Sequence, residues 1–333
     1  MRGWLATKSD GRIESRFGEI DDAWLPAGDV RIRVHWSSLN YKDGLAMTGS
    51  PGVIRTFPMV PGIDLAGVVE ESVSADFAVG DAVVVTGCGL SEKYWGGYAE
   101  VARVPASFVV PLPAVFSLRQ AMAIGTAGFT AMQCVDALER HGLRPDGRDV
   151  VVTGAAGGVG SIAVALLARK GYRVVASTGR LEEAAYLQGL GAAEVMDRAE
   201  LSAPATRPME SERWSGAVDT VGGDTLAGLI RTMGQGGAVA ACGLAGGVSL
   251  NTTVFPFILR GVSLLGVNSV EVANSERRRI WGLLAEGLDV GLLDSLTAEI
   301  GLAELPEYAG RVLAGQVRGR VVVRLDEPLL QNS

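Results

Sequence analysis

Apolar positions along this chain fall into two textures. Over the first third, short apolar runs lie between Gly and Pro: Val30 to Trp36, Leu65 to Val69, Ala82 to Thr86 and Tyr98 to Val104. Runs of that length bounded by turn residues predict strands of a small, mostly antiparallel, barrel-like domain. From about Ala121 the pattern changes to alternating helical and strand-like stretches. Helices are expected over 121–140, 158–170, 181–190, 224–233 and 276–287. Strands are expected over 149–153, 173–177, 193–196, 217–221, 238–242 and 262–267. Such alternation implies a doubly wound parallel sheet, hence an α/β protein. A last strand, 320–325, ends a tail that is expected to return to the first domain.

The stretch from Asp149 to Arg180, DVVVTGAAGGVGSIAVALLARKGYRVVASTGR, carries the first chemistry. Its opening Val-dense run suits a strand buried on both faces. Gly154, Gly157 and Gly160 follow at three-residue spacing. Glycine there permits a sharp turn, close approach of backbone to a pyrophosphate, and tight packing of the next helix. That helix starts at the turn, where unbonded N–H groups and the dipole favour an anion. A glycine triplet alone is weak; set between strand and helix, it marks a dinucleotide site.

The end of the second strand selects the dinucleotide. NAD-binding units carry Asp or Glu there for the ribose 2′-hydroxyl. This chain reads Ser177-Thr178-Gly179-Arg180. Hydroxyls, an open backbone and a guanidinium suit a 2′-phosphate, and no carboxylate repels it. The cofactor expected is NADPH.

Composition narrows the class further. At 333 residues the chain is long enough for two domains, and 48% hydrophobic content with 45 glycines fits a compact enzyme. A net charge of −7 without a Lys/Arg run argues against nucleic acid. The polar N-terminus lacks a secretion signal and no apolar run reaches membrane-spanning length, so no membrane partner and a cytoplasmic location are expected. Cys88, Cys134 and Cys242, with His35 and His141 the only histidines, are too few and scattered for a disulfide framework or a His/Cys zinc site.

Several longer strings carry a family resemblance: HWSSLNYKDGLAMTG (35–49), FPMVPGIDLAGVV (57–69), WGGYAEVARV (95–104), IGTAGFTAM (124–132), VDTVGG (218–223), ACGLAGG (241–247) and FPFILRGVSLLGVNS (255–269). With the glycine turn they span nearly the whole chain. The sequence resembles the medium-chain dehydrogenase/reductase superfamily, its zinc-free quinone-oxidoreductase-like branch, and within that the acrylyl-CoA reductase family. The resemblance implies a GroES-like catalytic domain over 1–123, a Rossmann NADPH-binding domain over 124–268, and a return segment over 269–333. Zinc alcohol dehydrogenases place a Cys ligand near 40 and Gly-His-Glu in the 60s. This chain has Asn40-Tyr41-Lys42-Asp43 and Gly62-Ile63-Asp64, so no metal is expected.

The reaction implied is reduction of the conjugated double bond of acryloyl-CoA to propanoyl-CoA, the small-molecule partner being an acyl-CoA. Tyr41 and Asn40, in a polar loop after an apolar strand, become the catalytic candidates. Tyr41 would contact the nicotinamide ribose or reacting centre, with proton donation or plain packing both open. Asn40 would hydrogen-bond the thioester carbonyl or simply brace a turn. Lys42 and Asp43, adjacent and opposite in charge, are read as local structure. Ala156, Gly157, Gly158 and Val159 would meet the pyrophosphate through backbone N–H. Ser177, Thr178, Gly179 and Arg180 would hold the 2′-phosphate, with Arg198 as a second cation. Leu244 and Ile258 would flank the nicotinamide half; Ser269 and Arg318 are further cofactor candidates. Thr126 reads as a helix cap, and Arg277 to Arg279 as a solvated helix face. The apolar run 261–267 is expected to pair with its copy in a homodimer. Two other readings remain: a broader NADPH quinone or enone reductase, and a non-catalytic NADPH-binding redox sensor.

Overall fold

In a computed structural model, which describes residues 1–204 and 207–325, the chain divides into two compact units. The first comprises 1–126, 269–285 and 293–333; the second comprises 127–268 and 286–292. The tail therefore gives one short segment to the second unit, with Gly287 packed near Met132 and Leu166.

In the first unit, Val30–Leu39 lies between Arg320–Arg324 and Asp64–Ser72, antiparallel to both. The sheet runs on through Ala82–Thr86 to Val110–Pro111, and Thr297–Gly301 adds in parallel to Arg320–Arg324. Val30, Ile32 and Val34 alternate inward and meet Leu65, Val83, Val85, Val321 and Val323 in one core. A hairpin not predicted above, Arg2–Ser9 with Arg12–Glu19, precedes this sheet. Its two-residue loop is Asp10-Gly11, both at positive φ, as a primed turn requires.

The second unit holds a six-stranded parallel sheet. Its order is Glu194–Asp197, Arg173–Thr178, Asp149–Thr153, Trp214–Asp219, Met233–Ala241, Ser263–Gly266. The direction of winding reverses between Asp149–Thr153 and Trp214–Asp219, the position where doubly wound sheets bind ligands. Helix Gly158–Arg169 follows the first of these, and its buried face reads Ile162, Ala163, Val164, Leu166 and Leu167.

Helix Leu118–Arg140 is longer than predicted and broken at Gly125, whose φ of 49° and ψ of −159° lie outside helical values. Among the described residues, no helix is long and apolar enough to cross a membrane.

Candidate active site

The dinucleotide end lies within the second unit. A Cβ on Gly160 would sit 2.3 Å from Gly154 O, so only glycine lets the helix approach the turn this closely. Gly157 N–H donates to Gly154 O at 2.9 Å and closes the turn, so it serves the fold rather than an anion. The predicted pyrophosphate contact therefore rests on Ala156, Gly158 and Val159, the latter two opening a 12-residue helix whose first N–H groups lack intrahelical acceptors.

The strand end needs a sharper correction. Ser177 is fully buried, with its hydroxyl enclosed in the protein, and Thr178 is nearly so. Thr178 Oγ1 accepts from Arg180 N–H at 3.1 Å, capping the turn. Neither hydroxyl presents itself to a ligand, because residues ending a central parallel strand point into covered faces. Two cations remain in place beside Gly179. Arg180 Nη2 donates to Ala156 O at 3.3 Å, which ties the guanidinium to the glycine turn, and Nη1 lies 3.6 Å from Glu183. Arg198 N–H donates to Thr178 O at 2.9 Å, and a Cβ on Gly179 would fall 2.6 Å from Arg198 Nε. Glycine at 179 is what lets the Arg198 guanidinium lie against the backbone. The Arg198 guanidinium against exposed Gly179, with Arg180 next in sequence and tied to the glycine turn, supplies charge suited to a phosphate dianion.

Leu244 and Ile258 are both strongly exposed. The Leu244 loop lies near the glycine turn through Thr220: a Cβ on Gly243 would be 2.1 Å from Thr220 O, and Thr220 Oγ1 donates to Thr153 O at 2.9 Å. Ile258 stands on helix Phe255–Arg260 with no such link among the described contacts. Ser269 and exposed Arg318 belong to the first unit, where the Ser269 carbonyl accepts from Arg277 Nη2 at 3.1 Å. Arg277 is not on a solvated face. It is buried, also donating to Val270 O and Thr86 O; Arg278 and Arg279 are exposed.

The catalytic candidates lie in the first unit, where the expected loop is helix Tyr41–Met47 with Asn40 at its N-cap. Tyr41, the first helical residue, is 42% exposed, the availability a ligand contact needs. Asn40 is committed inward instead. Its Oδ1 accepts from Arg320 Nη1 at 3.2 Å; its Nδ2 lies 2.9 Å from Asp64 Oδ2, 3.0 Å from Asp43 Oδ2 and 3.0 Å from Ser38 Oγ. A thioester carbonyl would find no amide proton unspent, so the predicted direct contact gives way to an internal role.

Asp43 does not pair with Lys42, which meets Glu92. Asp43 is buried, accepting from Asn40 N–H and Ile63 N–H, each at 2.9 Å. Burial, then the charge of Asp64, pushes its carboxyl up to about 7, against the pull of those hydrogen bonds. Asp64 is buried and accepts from Ser38 Oγ (2.6 Å), Thr126 N–H (2.8 Å) and Thr126 Oγ1 (2.5 Å). Thr126 thus gives its hydroxyl proton to Asp64. Arg320, 2% exposed, completes the cluster, and Tyr98 closes it by donating to Ser38 O at 3.0 Å. The sequence reading missed Asp64, Arg320 and Tyr98 as site residues. The signal was available: Asp64 and Arg320 each stand immediately before an apolar run, Leu65 to Val69 and Val321 to Val323, where an ionised group is costly without partners.

Comparison with known proteins places this geometry. Residues 26–114 match the alcohol dehydrogenase GroES-like domain, and residues 158–286 match the zinc-binding dehydrogenase domain. The chain is 48% identical to the probable acrylyl-CoA reductase AcuI of Escherichia coli, over 98% of this chain and all of that one. The yhdH oxidoreductase of Salmonella enterica, solved with NADP, is 49% identical and superposes with a TM-score of 0.95 over 98% of this chain and 100% of its own. Bacillus subtilis YhfP, a putative quinone oxidoreductase, is 45% identical over 96% of this chain and 97% of its own. Its structure with NAD bound gives a TM-score of 0.93 over 97% of this chain and 99% of that chain. Fold and matched domains together define a medium-chain dehydrogenase/reductase. Within that superfamily, the chain belongs to the acrylyl-CoA reductase family.

One matched domain is described as zinc-binding, so the donors must be tested against zinc. Asn40 Oδ1 already takes a guanidinium nitrogen, and Asp64 takes hydrogen bonds on both oxygens. A dication beside Arg320 would face a fixed positive charge. Among the described residues, no group of three or more His, Cys, Asp or Glu is placed to hold a metal. The residues present do not fit zinc.

Proposed function

We propose that this protein reduces acryloyl-CoA to propanoyl-CoA with NADPH, in the cytoplasm and as a homodimer. The observation that carries the coenzyme assignment is the Arg180–Arg198 pair about Gly179 beside the glycine turn. The substrate assignment draws on near-full-length similarity to the acrylyl-CoA reductase of Escherichia coli. The bound coenzyme supplies hydride for the β-carbon, and a proton reaches the α-carbon. Ala156, Gly158 and Val159 would hold its pyrophosphate, Arg180 and Arg198 its 2′-phosphate, and Leu244 and Ile258 the nicotinamide half; Ser269 and Arg318 are lesser candidates. Tyr41, exposed at the start of its helix, is assigned to contact the nicotinamide ribose or the reacting centre. Asn40 serves the reaction by fixing where Tyr41 emerges.

A quinone or enone reductase is the second reading, favoured by the similarity to the putative quinone oxidoreductase YhfP. NADPH oxidation with acryloyl-CoA, crotonoyl-CoA and a simple quinone separates the two. The proposal predicts the highest kcat/KM on acryloyl-CoA; a quinone turned over faster than either thioester would refute it.

The dimer proposal draws on the edge strand Ser263–Gly266, which pairs with Met233–Ala241 on one side. Leu264 on that strand, and Phe255 and Leu259 on the preceding helix, are exposed apolar residues. A second copy of the same strand covers such an edge by main-chain pairing.

A further inference from the structure

The strand that ends at Thr178 leads into an exposed stretch before the next helix, and that stretch holds Arg180. Gly179, Leu181 and Glu182 are exposed, and helix Ala184–Gly189 has six residues, too few to hold a position on propensity alone. Where Arg180 stands is therefore set by side-chain contacts. At one end its N–H donates to Thr178 Oγ1. At the other, Leu187 is buried and half-buried Tyr186 donates its hydroxyl proton to Ser161 Oγ at 3.0 Å. Ser161 is fully buried on helix Gly158–Arg169, and its Oγ donates to Ala155 O at 3.2 Å.

The direction of this chain of hydrogen bonds is forced. A carbonyl oxygen only accepts, so the serine spends its single hydroxyl proton on Ala155 and must accept from the tyrosine. Ala155 and Ala156 are consecutive residues of the glycine turn. Segment 180–186 thus takes hold of two neighbouring carbonyls there: Arg180 Nη2 binds Ala156 O at 3.3 Å, and Tyr186 reaches Ala155 O through Ser161. Glu183, between them, lies 3.6 Å from Arg180 Nη1. The guanidinium is fixed before any phosphate arrives, and ordering a flexible arginine is a cost that binding would otherwise bear. The turn itself is closed separately, by Gly157 N–H on Gly154 O.

We infer that Tyr186 is a positioning residue that sets coenzyme specificity: without touching the dinucleotide, it latches the Arg180 segment to the glycine turn through Ser161. The inference rests on the assignment of Arg180 to the 2′-phosphate. It predicts a loss confined to the phosphorylated coenzyme, because NADH has no group for Arg180 to hold and its pyrophosphate meets the turn.

The test uses full-length protein carrying Tyr186→Phe, Ser161→Ala or Arg180→Ala, with Tyr186→Phe also placed in each of the other two backgrounds. Dissociation constants for NADPH and NADH are read from nicotinamide fluorescence, so no substrate assignment enters. Loss of a neutral hydrogen bond changes an equilibrium by roughly 3- to 10-fold. Tyr186→Phe should weaken NADPH by about that factor and leave NADH within about twofold. Ser161→Ala, which also strips a donor from the turn, should weaken both coenzymes, and NADPH more. Added to Ser161→Ala or to Arg180→Ala, Tyr186→Phe should cost NADPH less than about twofold, the non-additivity of residues acting in one chain. Equal losses for the two coenzymes, an NADPH constant within about twofold of wild type, or a Tyr186→Phe effect that persists in full beside Arg180→Ala would overturn the inference. If Ser161→Ala does not fold, Tyr186→Phe and the Arg180→Ala background decide it. An Arg180→Ala protein that keeps the wild-type preference for NADPH sinks the phosphate assignment and this inference together. One that loses the preference while Tyr186→Phe keeps it sinks this inference alone.

Discussion

Asp43 shows how one buried side chain ties fold to conditions. Its carboxyl closes the start of the Tyr41 helix, yet burial and Asp64 lift it to about 7 from an ordinary value of 3.8. Tyr98 and Arg320 also face this cluster. A folded value above the unfolded one means native protein holds its proton longer. The stabilisation is then complete below about pH 4 and disappears as pH rises through about 7. Asp43→Asn removes that dependence, at the expense of a carboxylate acceptor. Urea unfolding at about pH 5 and pH 8 should show wild type losing on the order of 1–3 kcal/mol relative to the variant across that interval. Asp219, also pushed up by burial, contributes to both proteins and cancels. Parallel curves would show that Asp43 does not titrate as described. At this scale the sequence offered Arg180, Arg198 and Tyr41 as candidates, because a missing acid and a recognisable string point to them. It did not disclose that Ser177 is sealed in the sheet or that Asn40 faces inward. Side-chain direction at a strand end or an N-cap depends on neighbours remote in sequence, here Asp64 and Arg320.

Secondary elements divide along the same line. The central strands, such as Asp149–Thr153 and Trp214–Asp219, announce themselves as apolar runs because both faces are covered. The strand Arg12–Glu19 does not, since mostly exposed residues leave it no apolar stripe; only Asp10-Gly11 marked its hairpin. Helix Tyr41–Met47 was equally hidden, as a seven-residue helix is too short to form on propensity and depends on Asp43 reaching Ile63. The edge strand Ser263–Gly266 was legible, and its apolar side chains carry the dimer proposal. Leu264→Lys places a charge on that edge and should shift micromolar protein from dimer to monomer by light scattering, with NADPH binding retained. A wild type already monomeric at that concentration contradicts the proposal.

Across the whole molecule, the two units divide the chemistry. The second carries the glycine turn and the cation pair; the first carries Tyr41 on its charged foundation. Both families of features were visible in strings spanning nearly the full chain, whereas the internal guanidinium was not, since Arg320 lies 280 residues from its partner Asn40. Zinc is absent from this account because the donor set is already occupied by hydrogen bonds to protein. What remains central is the proposal that Arg180 and Arg198 select the coenzyme. The most direct measurement compares kcat/KM for NADPH and NADH in wild type, Arg180→Ala and the Arg180→Ala/Arg198→Ala double variant. Hydrogen bonds to charged groups contribute roughly 1.5–3 kcal/mol, so Arg180→Ala should reduce the NADPH value about 10- to 100-fold and the double variant further. NADH should change little in either. Equal use of the two coenzymes by wild type, or an NADPH preference that survives loss of both arginines, would contradict the account.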